Sequence, residues 1–235
     1  MVKDSRKPAL PAADSAKHHP MPFTRIELAV LSIVDGQLSV LLGLRAQAPE
    51  KGRWALPGGA LRIDLDKDLE AAAQRVAKER LTVSLPFLRQ LQASGNKTRD
   101  PRAPWALSIV YRAMLQTGAI APAAGKRLDA LAWTPVDQIA TREDIAFDHQ
   151  ALIQAAVQTT RDEVEKLRIP FEYLPAIFTL GELQACCEAI LGRVLDKSSF
   201  RRKLDDQQIL QVVKGEMRTG PFRPAQLYRP VTSGV

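Results

Sequence analysis

The turn Pro57-Gly58-Gly59 and the run that follows it, from Asp68 to Val83, constrain this chain most. Proline cannot continue a regular strand and paired glycines permit a sharp change of direction, so the triplet is a breaker. After Asp68, apolar or small residues recur at Leu69, Ala72, Ala73, Val76, Ala77 and Leu81. That i, i+3, i+4 spacing predicts a helix with one buried face. Ahead of it, TRIELAVLSIV and QLSVLLGLR are β-rich runs joined by Asp35-Gly36, a pair suited to the positive φ angles of a tight hairpin. Behind it, LPFLRQLQAS and WALSIVYRAML read as strands around the loop GNKTRDPRAP, and LDALAWTPV as one more. DHQALIQAAVQTTRDEVEKLR predicts a long helix closed by Pro170, where the reading places a domain boundary.

The remaining chain follows a different order. In FTLGELQACCEAILG, Thr179 and Glu182 form a capping box, and Leu180, Leu183, Ile190 and Leu191 supply an apolar face. The connection GRVLD leads to KSSFRRKLDDQQ, a second helix capped by Asp196. ILQVV, a turn at Lys214-Gly215-Glu216 and a strand around AQLYR complete the unit. Helix, turn, helix and two-stranded hairpin is the order of a winged helix-turn-helix.

Charge sharpens that reading. The 235 residues carry a net charge of +7, which permits a nucleic-acid partner. Nine basic residues between Arg193 and Arg229 face four acidic ones, so the C-terminal segment is locally basic. In a helix-turn-helix the second helix enters the major groove and its first half reads base edges. Lys197, Ser198, Ser199, Arg201, Arg202 and Lys203 are the hydroxyls and cations suited to that task, while Phe200 and Leu204 face the core. Arg218 and Arg223, bracketing Gly220-Pro221, belong in or near the wing, where they reach phosphates. The bland alternative is a basic face on an interaction module.

Other features narrow the setting. No apolar run approaches the roughly 20 residues that span a bilayer, and the first 22 residues read as a disordered tail with no secretory core. The adjacent pair Cys186-Cys187 suits a reducing cytoplasm. His149 in FDHQ reads as a structural residue at a helix start, since no partner accompanies it as a metal ligand.

The stretch from Gly59 to Thr82 resembles the Nudix box, in which a glycine loop and a helix carry the carboxylates for divalent-metal hydrolysis of nucleoside diphosphates. Aligning Gly59 and Arg75 with the pattern needs two extra loop residues. The three helix acids of the pattern then fall on Val76, Glu79 and Arg80, so only Glu79 remains. The loop glutamate falls near Lys67, with Asp66 and Asp68 as imperfect substitutes, and the later glycine falls on Thr82. Val76 supplies no ligand, and Arg80 puts a cation where Mg²⁺ needs an anion. The same cation can still pair with a pyrophosphate. The expectation is a site that binds a ligand without turning it over, the bland alternative being that Arg75, Glu79 and Arg80 are solvated helix charges. In Thr98-Arg99-Asp100-Pro101-Arg102, the arginines reach a phosphate or adenine, or Asp100 caps the turn.

With both halves in view, WALPGG, the DLEAAA helix, TRDPR, AFDH, FTLGELQ, LDKSSFRRKL and RPAQLYR resemble the Nudix-related transcriptional regulators of the NrtR family. The resemblance implies an α+β architecture: a Nudix-like α/β/α sandwich with a mixed sheet over residues 23–168 and a winged helix over 169–235, after a tail over 1–22. It implies a homodimer on palindromic operator DNA, a nucleotide effector such as ADP-ribose and control of NAD metabolism genes. The effector-binding candidates are Arg53, Gly58, Gly59, Arg75, Glu79, Arg80, Arg99 and Arg102. No catalytic residue, metal or cofactor is expected. An active Nudix hydrolase with an appended nucleic-acid-binding domain, using Mg²⁺ through Asp66, Asp68 and Glu79, is the alternative.

Overall fold

The computed structural model of the chain describes residues 21–116, 121–218 and 224–231. Residues 1–20 of the expected tail, Gly220-Pro221 and Arg223 lie outside them. Seven strands form one mixed sheet: β1 (Phe23–Val34), β2 (Gln37–Arg45), β3 (Trp54–Ala55), β4 (Gly58–Ala60), β5 (Arg89–Asn96), β6 (Ala106–Met114) and β7 (Leu128–Pro135). The path runs β3-β2-β1-β6-β5, with β4 paired to β1 and β7 to β2. β1 and β6 are parallel, and the other pairs are antiparallel.

β1 is central and buried on both faces, which is why its sequence is a nearly unbroken apolar run. Ile26, Leu28 and Val30 face α1 (Leu69–Leu81), whose Ala72, Ala73, Val76, Ala77 and Leu81 complete that layer. Ala29 and Leu31 join the opposite layer, under α2 (His149–Glu165). The expected sandwich is present. α1 starts where Asp68 Oδ1 accepts the Ala71 amide at 2.7 Å, and stops where Thr82 turns left-handed at φ 59°. α2 ends at Glu165, earlier than the sequence reading placed it. Leu167 at φ 55° reverses the chain, and the Arg168 amide donates back to Glu163 O at 2.8 Å, so Pro170 is not the stop.

The C-terminal unit holds α3 (Leu180–Leu191) and α4 (Lys197–Gln207), with β8 (Phe178–Thr179), β9 (Leu210–Arg218) and β10 (Ala225–Pro230) in a sheet of order β8-β10-β9. The capping box at Thr179 and Glu182 is formed on both sides. Two corrections arise here. The hairpin gains a third strand, β8, which at two residues is too short to leave a periodic signal. The turn expected at Lys214-Gly215-Glu216 does not exist, because β9 runs straight through it. Met217 pairs with Gln226 but Val212 pairs with Tyr228, so residues 213–216 bulge opposite Leu227, with Gly215 at φ 79°. A glycine of positive φ serves a bulge as well as a turn.

The apolar core does not divide near Pro170. One cluster runs from Leu31 and Val40 through Leu152 and Val164 to Phe178, Leu183, Ile190, Phe200 and Leu204. Cys186 and Cys187 lie free and buried within it, and burial alone pushes the Cys186 thiol up to about 12. Iodoacetamide is therefore expected to label the native chain far more slowly than the same chain in urea, as mass spectrometry would show.

Candidate effector pocket and nucleic-acid interface

A pocket opens where β1, β2 and the turn into β4 meet the end of α1. Arg25, Arg45, Arg80, Arg102 and Arg127 line it, with Ala55, Leu56, Gly58 and Leu128 as its walls. Two of the five guanidiniums hold a carboxylate at hydrogen-bond distance. Arg25 Nε donates to Glu27 Oε1 at 2.7 Å, and Arg102 Nε to Asp100 Oδ1 at 2.8 Å. Backbone carbonyls hold two others. Arg45 donates to Pro49 O through Nε (3.0 Å) and Nη2 (2.7 Å), and Arg80 to Gly58 O (2.8 Å) and Lys126 O (3.0 Å). Arg127 is exposed at the rim. Burial, followed by the neighbouring Arg25 and Arg102, makes the Arg45 cation harder to keep. For Arg80 burial is again the main cause, partly offset by Glu79, with Arg127 and Arg25 adding to it. Crowded, partly desolvated guanidiniums whose hydrogen bonds go to carbonyls, with Glu79 at 3.8 Å from Arg80 as a more distant ion-pair partner, are suited to a multivalent anion.

Beneath the pocket lies a buried charge cluster. Glu27 is fully buried in β1, its Oε1 held by Arg25 and its Oε2 without a hydrogen-bond partner. Burial opposes the Glu27 charge, but Arg25 and then His149 hold its carboxyl below the usual range. His149, the first residue of α2, is 2% exposed. Its Nδ1 accepts the Leu56 amide at 3.0 Å, so the ring proton sits on Nε2, 3.8 Å from Glu27 Oε1. The helix-start role read from FDHQ is therefore what the structure shows, with a second role as a neighbour of the pocket floor.

Burial pushes the His149 imidazole below its ordinary pKa, against the pull of Glu27. The folded state thus binds fewer protons than the unfolded one below about pH 6.5, the unperturbed value. Stability is expected to be full above that pH and to fall as pH drops towards the lower folded value. Thermal midpoints measured from pH 7.5 to 5.5 should show the loss, and His149→Asn should flatten that part of the slope.

Of the effector candidates, the pocket wall includes Gly58, Arg80 and Arg102, and Gly59 packs behind it against Val76 and Arg80. Four others are diverted into the scaffold. Arg53 donates to the carbonyls of Glu143 and Ile145. Arg75 clasps Asp66, Nε to Oδ1 at 2.6 Å and Nη2 to Oδ2 at 2.7 Å, with Glu79 Oε1 at 3.5 Å from its Nη1. Arg99 is buried against Asp148 and Ser108. Each is held by other partners, and none of the four lines the pocket. Sequence reading missed Arg25, Arg45, Arg127 and Glu27. Only Glu27 left a signal, as a lone carboxylate inside the apolar run of a central strand.

The remnants of the metal motif are likewise committed. Val76 is fully buried in the α1 layer. Both Asp66 oxygens face Arg75, which with the Arg62 amide holds that carboxyl below the usual range, and Asp68 caps α1. Among the described residues, no group of three or more His, Cys, Asp or Glu side chains has a spacing that could hold a metal ion.

The basic surface lies on α4. Phe200 and Leu204 are buried, whereas Lys197, Ser198, Ser199, Arg201, Arg202 and Lys203 are exposed. At about 100° per residue, Arg202 and Ser198 point directly away from the Phe200–Leu204 face, and Arg201 flanks them. Ser199 and Lys203 turn toward the end of α2. Asp205 and Asp206 follow, leaving the basic half at the N-terminus of the helix. Arg218, expected to reach phosphate from the wing, pairs its Nη1 with Glu182 Oε1 at 2.9 Å, which ties the wing strand to α3. An exposed guanidinium at a strand end takes the nearest carboxylate, and the capping glutamate is within reach.

A seven-stranded mixed sheet between α1 and α2, with the glycine strand β4 beside an arginine-lined pocket and a basic winged helix after it in the chain, defines a Nudix-type domain joined to a DNA-binding module. Residues 24–156 match the NUDIX domain and residues 170–229 match the NrtR DNA-binding winged helix domain. The chain belongs to the NrtR family of Nudix-related transcriptional regulators. It is 34% identical over 228 residues to the ADPR responsive transcriptional repressor NtrR of Acinetobacter baylyi, across 97% of this chain and 90% of that protein. Shewanella oneidensis NrtR, solved with a 27mer DNA, superposes with a TM-score of 0.72 at 30% identity, covering 88% of this chain and 93% of that one. The NUDIX domain of the same protein, solved with ADP ribose, gives 0.56 at 28% identity, covering 63% of this chain and 94% of that one. Among the described residues, no helix is long and apolar enough to cross a membrane.

Proposed function

We propose that this chain is a cytoplasmic transcriptional regulator that binds palindromic operator DNA as a homodimer, and that its five-arginine pocket takes a nucleotide effector of the ADP-ribose kind. The observation that carries the reading is Arg80. It stands on α1 where the Nudix pattern has a metal-binding acid, and its guanidinium lines the pocket beside Gly58. A cation there favours a diphosphate and disfavours the metal that would cleave it. The Acinetobacter relative is described as ADPR responsive, and the Shewanella relative has been solved with DNA and, in its NUDIX domain, with ADP ribose. These support the effector class and the DNA partner. NAD metabolism genes are the corresponding targets, and no metal or cofactor is needed for either binding event.

Fluorescence anisotropy on DNA from upstream of the chain's own gene, with and without ADP-ribose, tests the proposal. Salt-sensitive binding above random DNA that ADP-ribose alters is expected. DNA binding indifferent to ADP-ribose would overturn the effector assignment. The competing reading, an active hydrolase, has Asp66, Asp68 and Glu79 as its metal ligands. Against it, both Asp66 oxygens are already engaged by Arg75 and Asp68 is engaged at the cap. Incubation with ADP-ribose and Mg²⁺ is expected to release no AMP above the uncatalysed background; release at ordinary enzyme rates, of order 1–10³ s⁻¹, would restore the hydrolase.

A further inference from the structure

Glu27 and His149 lie outside the pocket wall, yet they join it to α2. Arg25 and Leu56 line the pocket. Arg25 holds Glu27 Oε1 at 2.7 Å, and the Leu56 amide donates to His149 Nδ1 at 3.0 Å. An anion that draws Arg25 outward competes directly with Glu27. Because Glu27 Oε2 has no hydrogen-bond partner, a buried carboxylate losing Arg25 is left facing the Nε2–H of His149. Any adjustment there falls on the first residue of α2.

The other end of the helix stands on the winged helix. Arg161 Nε donates to Ile190 O in the last turn of α3 at 3.0 Å, and its Nη2 lies 3.2 Å from Asp137 Oδ1. α3 in turn carries α4. Gln184 Nε2 donates to Leu195 O at 3.1 Å, and the Leu195 amide donates to Glu188 Oε1 at 2.9 Å, so the connection between the two helices is fixed to α3. The 17 residues of α2 include no glycine or proline at which bending could dissipate a displacement. At 1.5 Å per residue they span about 25 Å.

From this chain of contacts we infer that α2 is the strut by which occupancy of the arginine pocket reaches the DNA-reading helix, with His149 and Arg161 as the positioning residues at its two ends. The inference rests on the proposed effector reading and deepens it. Coupling is a free energy shared by two sites, so ADP-ribose must change DNA affinity by the same factor as DNA changes ADP-ribose affinity. A side chain that merely stabilises the fold moves both affinities and leaves that factor alone.

The test uses the full-length chain and a duplex selected on it from a random pool. DNA affinity is read by anisotropy with and without ADP-ribose, and ADP-ribose affinity by calorimetry with and without the duplex. The wild type should show a coupling factor in the usual range of about 5–150. Arg161→Ala should bring both ratios to within about twofold of unity while ADP-ribose alone binds as before, and Arg161→Lys should restore part of the factor. His149→Asn, whose amide oxygen can still accept the Leu56 amide, should lower the factor from the sensor end. Wild-type coupling in both Arg161→Ala and His149→Asn would overturn the strut and leave the effector reading standing. A wild type whose DNA affinity ignores ADP-ribose would overturn both.

Discussion

Gly58→Ala is expected to be strongly destabilising, since it makes the shortest contact of any glycine-to-alanine change among the described residues. A Cβ there would lie 1.7 Å from Glu27 Oε2, 2.6 Å from its Cδ and 2.9 Å from Ile26 O. Two of those atoms belong to a buried carboxylate and the third is backbone of the central strand, so no flexible chain end can yield into solvent. Relief requires Glu27 to leave Arg25, which breaks a buried ion pair at a cost of about 3–5 kcal/mol. That is a large share of the 5–15 kcal/mol by which domains are typically stable. Urea denaturation should show the loss as a lower midpoint at similar slope. Glu27→Ala leaves Arg25 unpaired and should be destabilising alone, but Gly58→Ala with Glu27→Ala should cost less than the sum of the two, since the second removes the obstacle to the first. Full additivity would show that Glu27 is not the group the methyl meets, and a Gly58→Ala midpoint equal to wild type would show that the pocket floor is soft.

The same residues show what could be read before folding. Local order was legible wherever a short-range physical rule governs it. Asp35-Gly36 joined β1 to β2, Asp196 capped α4, and Thr179 with Glu182 closed both sides of a capping box. It failed where one signal serves two structures, as with Gly215, a bulge in β9 that reads as a turn. The winged helix was legible because its exposed basic and hydroxyl side chains are contiguous on one helix. The pocket was legible only in part. Gly58, Arg80 and Arg102 stood out in their motifs and line it, whereas Arg25, Arg45 and Arg127, from β1, β2 and a loop, are unremarkable in their own stretches. Conversely, Arg75 and Glu79 stood out because they match a motif, yet the folded chain spends them on Asp66 and on each other. Charges in a motif are visible in sequence; whether the scaffold consumes them is a property of the third dimension.

Arg201→Ala together with Arg202→Ala is expected to remove sequence-specific DNA binding while sparing everything upstream. The buried pair Phe200 and Leu204 fixes the rotation of α4, so Arg202 faces outward and Arg201 lies on the adjacent flank. Neither side chain holds α4 to the core, so loss of fold is not an available explanation for loss of binding. Each base-reading arginine is worth about 1–3 kcal/mol, which for the pair amounts to roughly 30-fold to 10⁴-fold in affinity. The kind of loss separates the roles. An arginine on a base edge relaxes specificity at one position, whereas one on a phosphate weakens all duplexes alike and lowers the salt slope by about one unit. Anisotropy across a salt series, on the selected duplex and on random DNA, reads both. ADP-ribose affinity and the oligomeric mass by light scattering should be unchanged, because the pocket is built from β1, β2 and the turn into β4, far along the chain from α4. Retained full affinity would move the DNA contact to another element; β9 is the next exposed one, with its Lys214 free of the core.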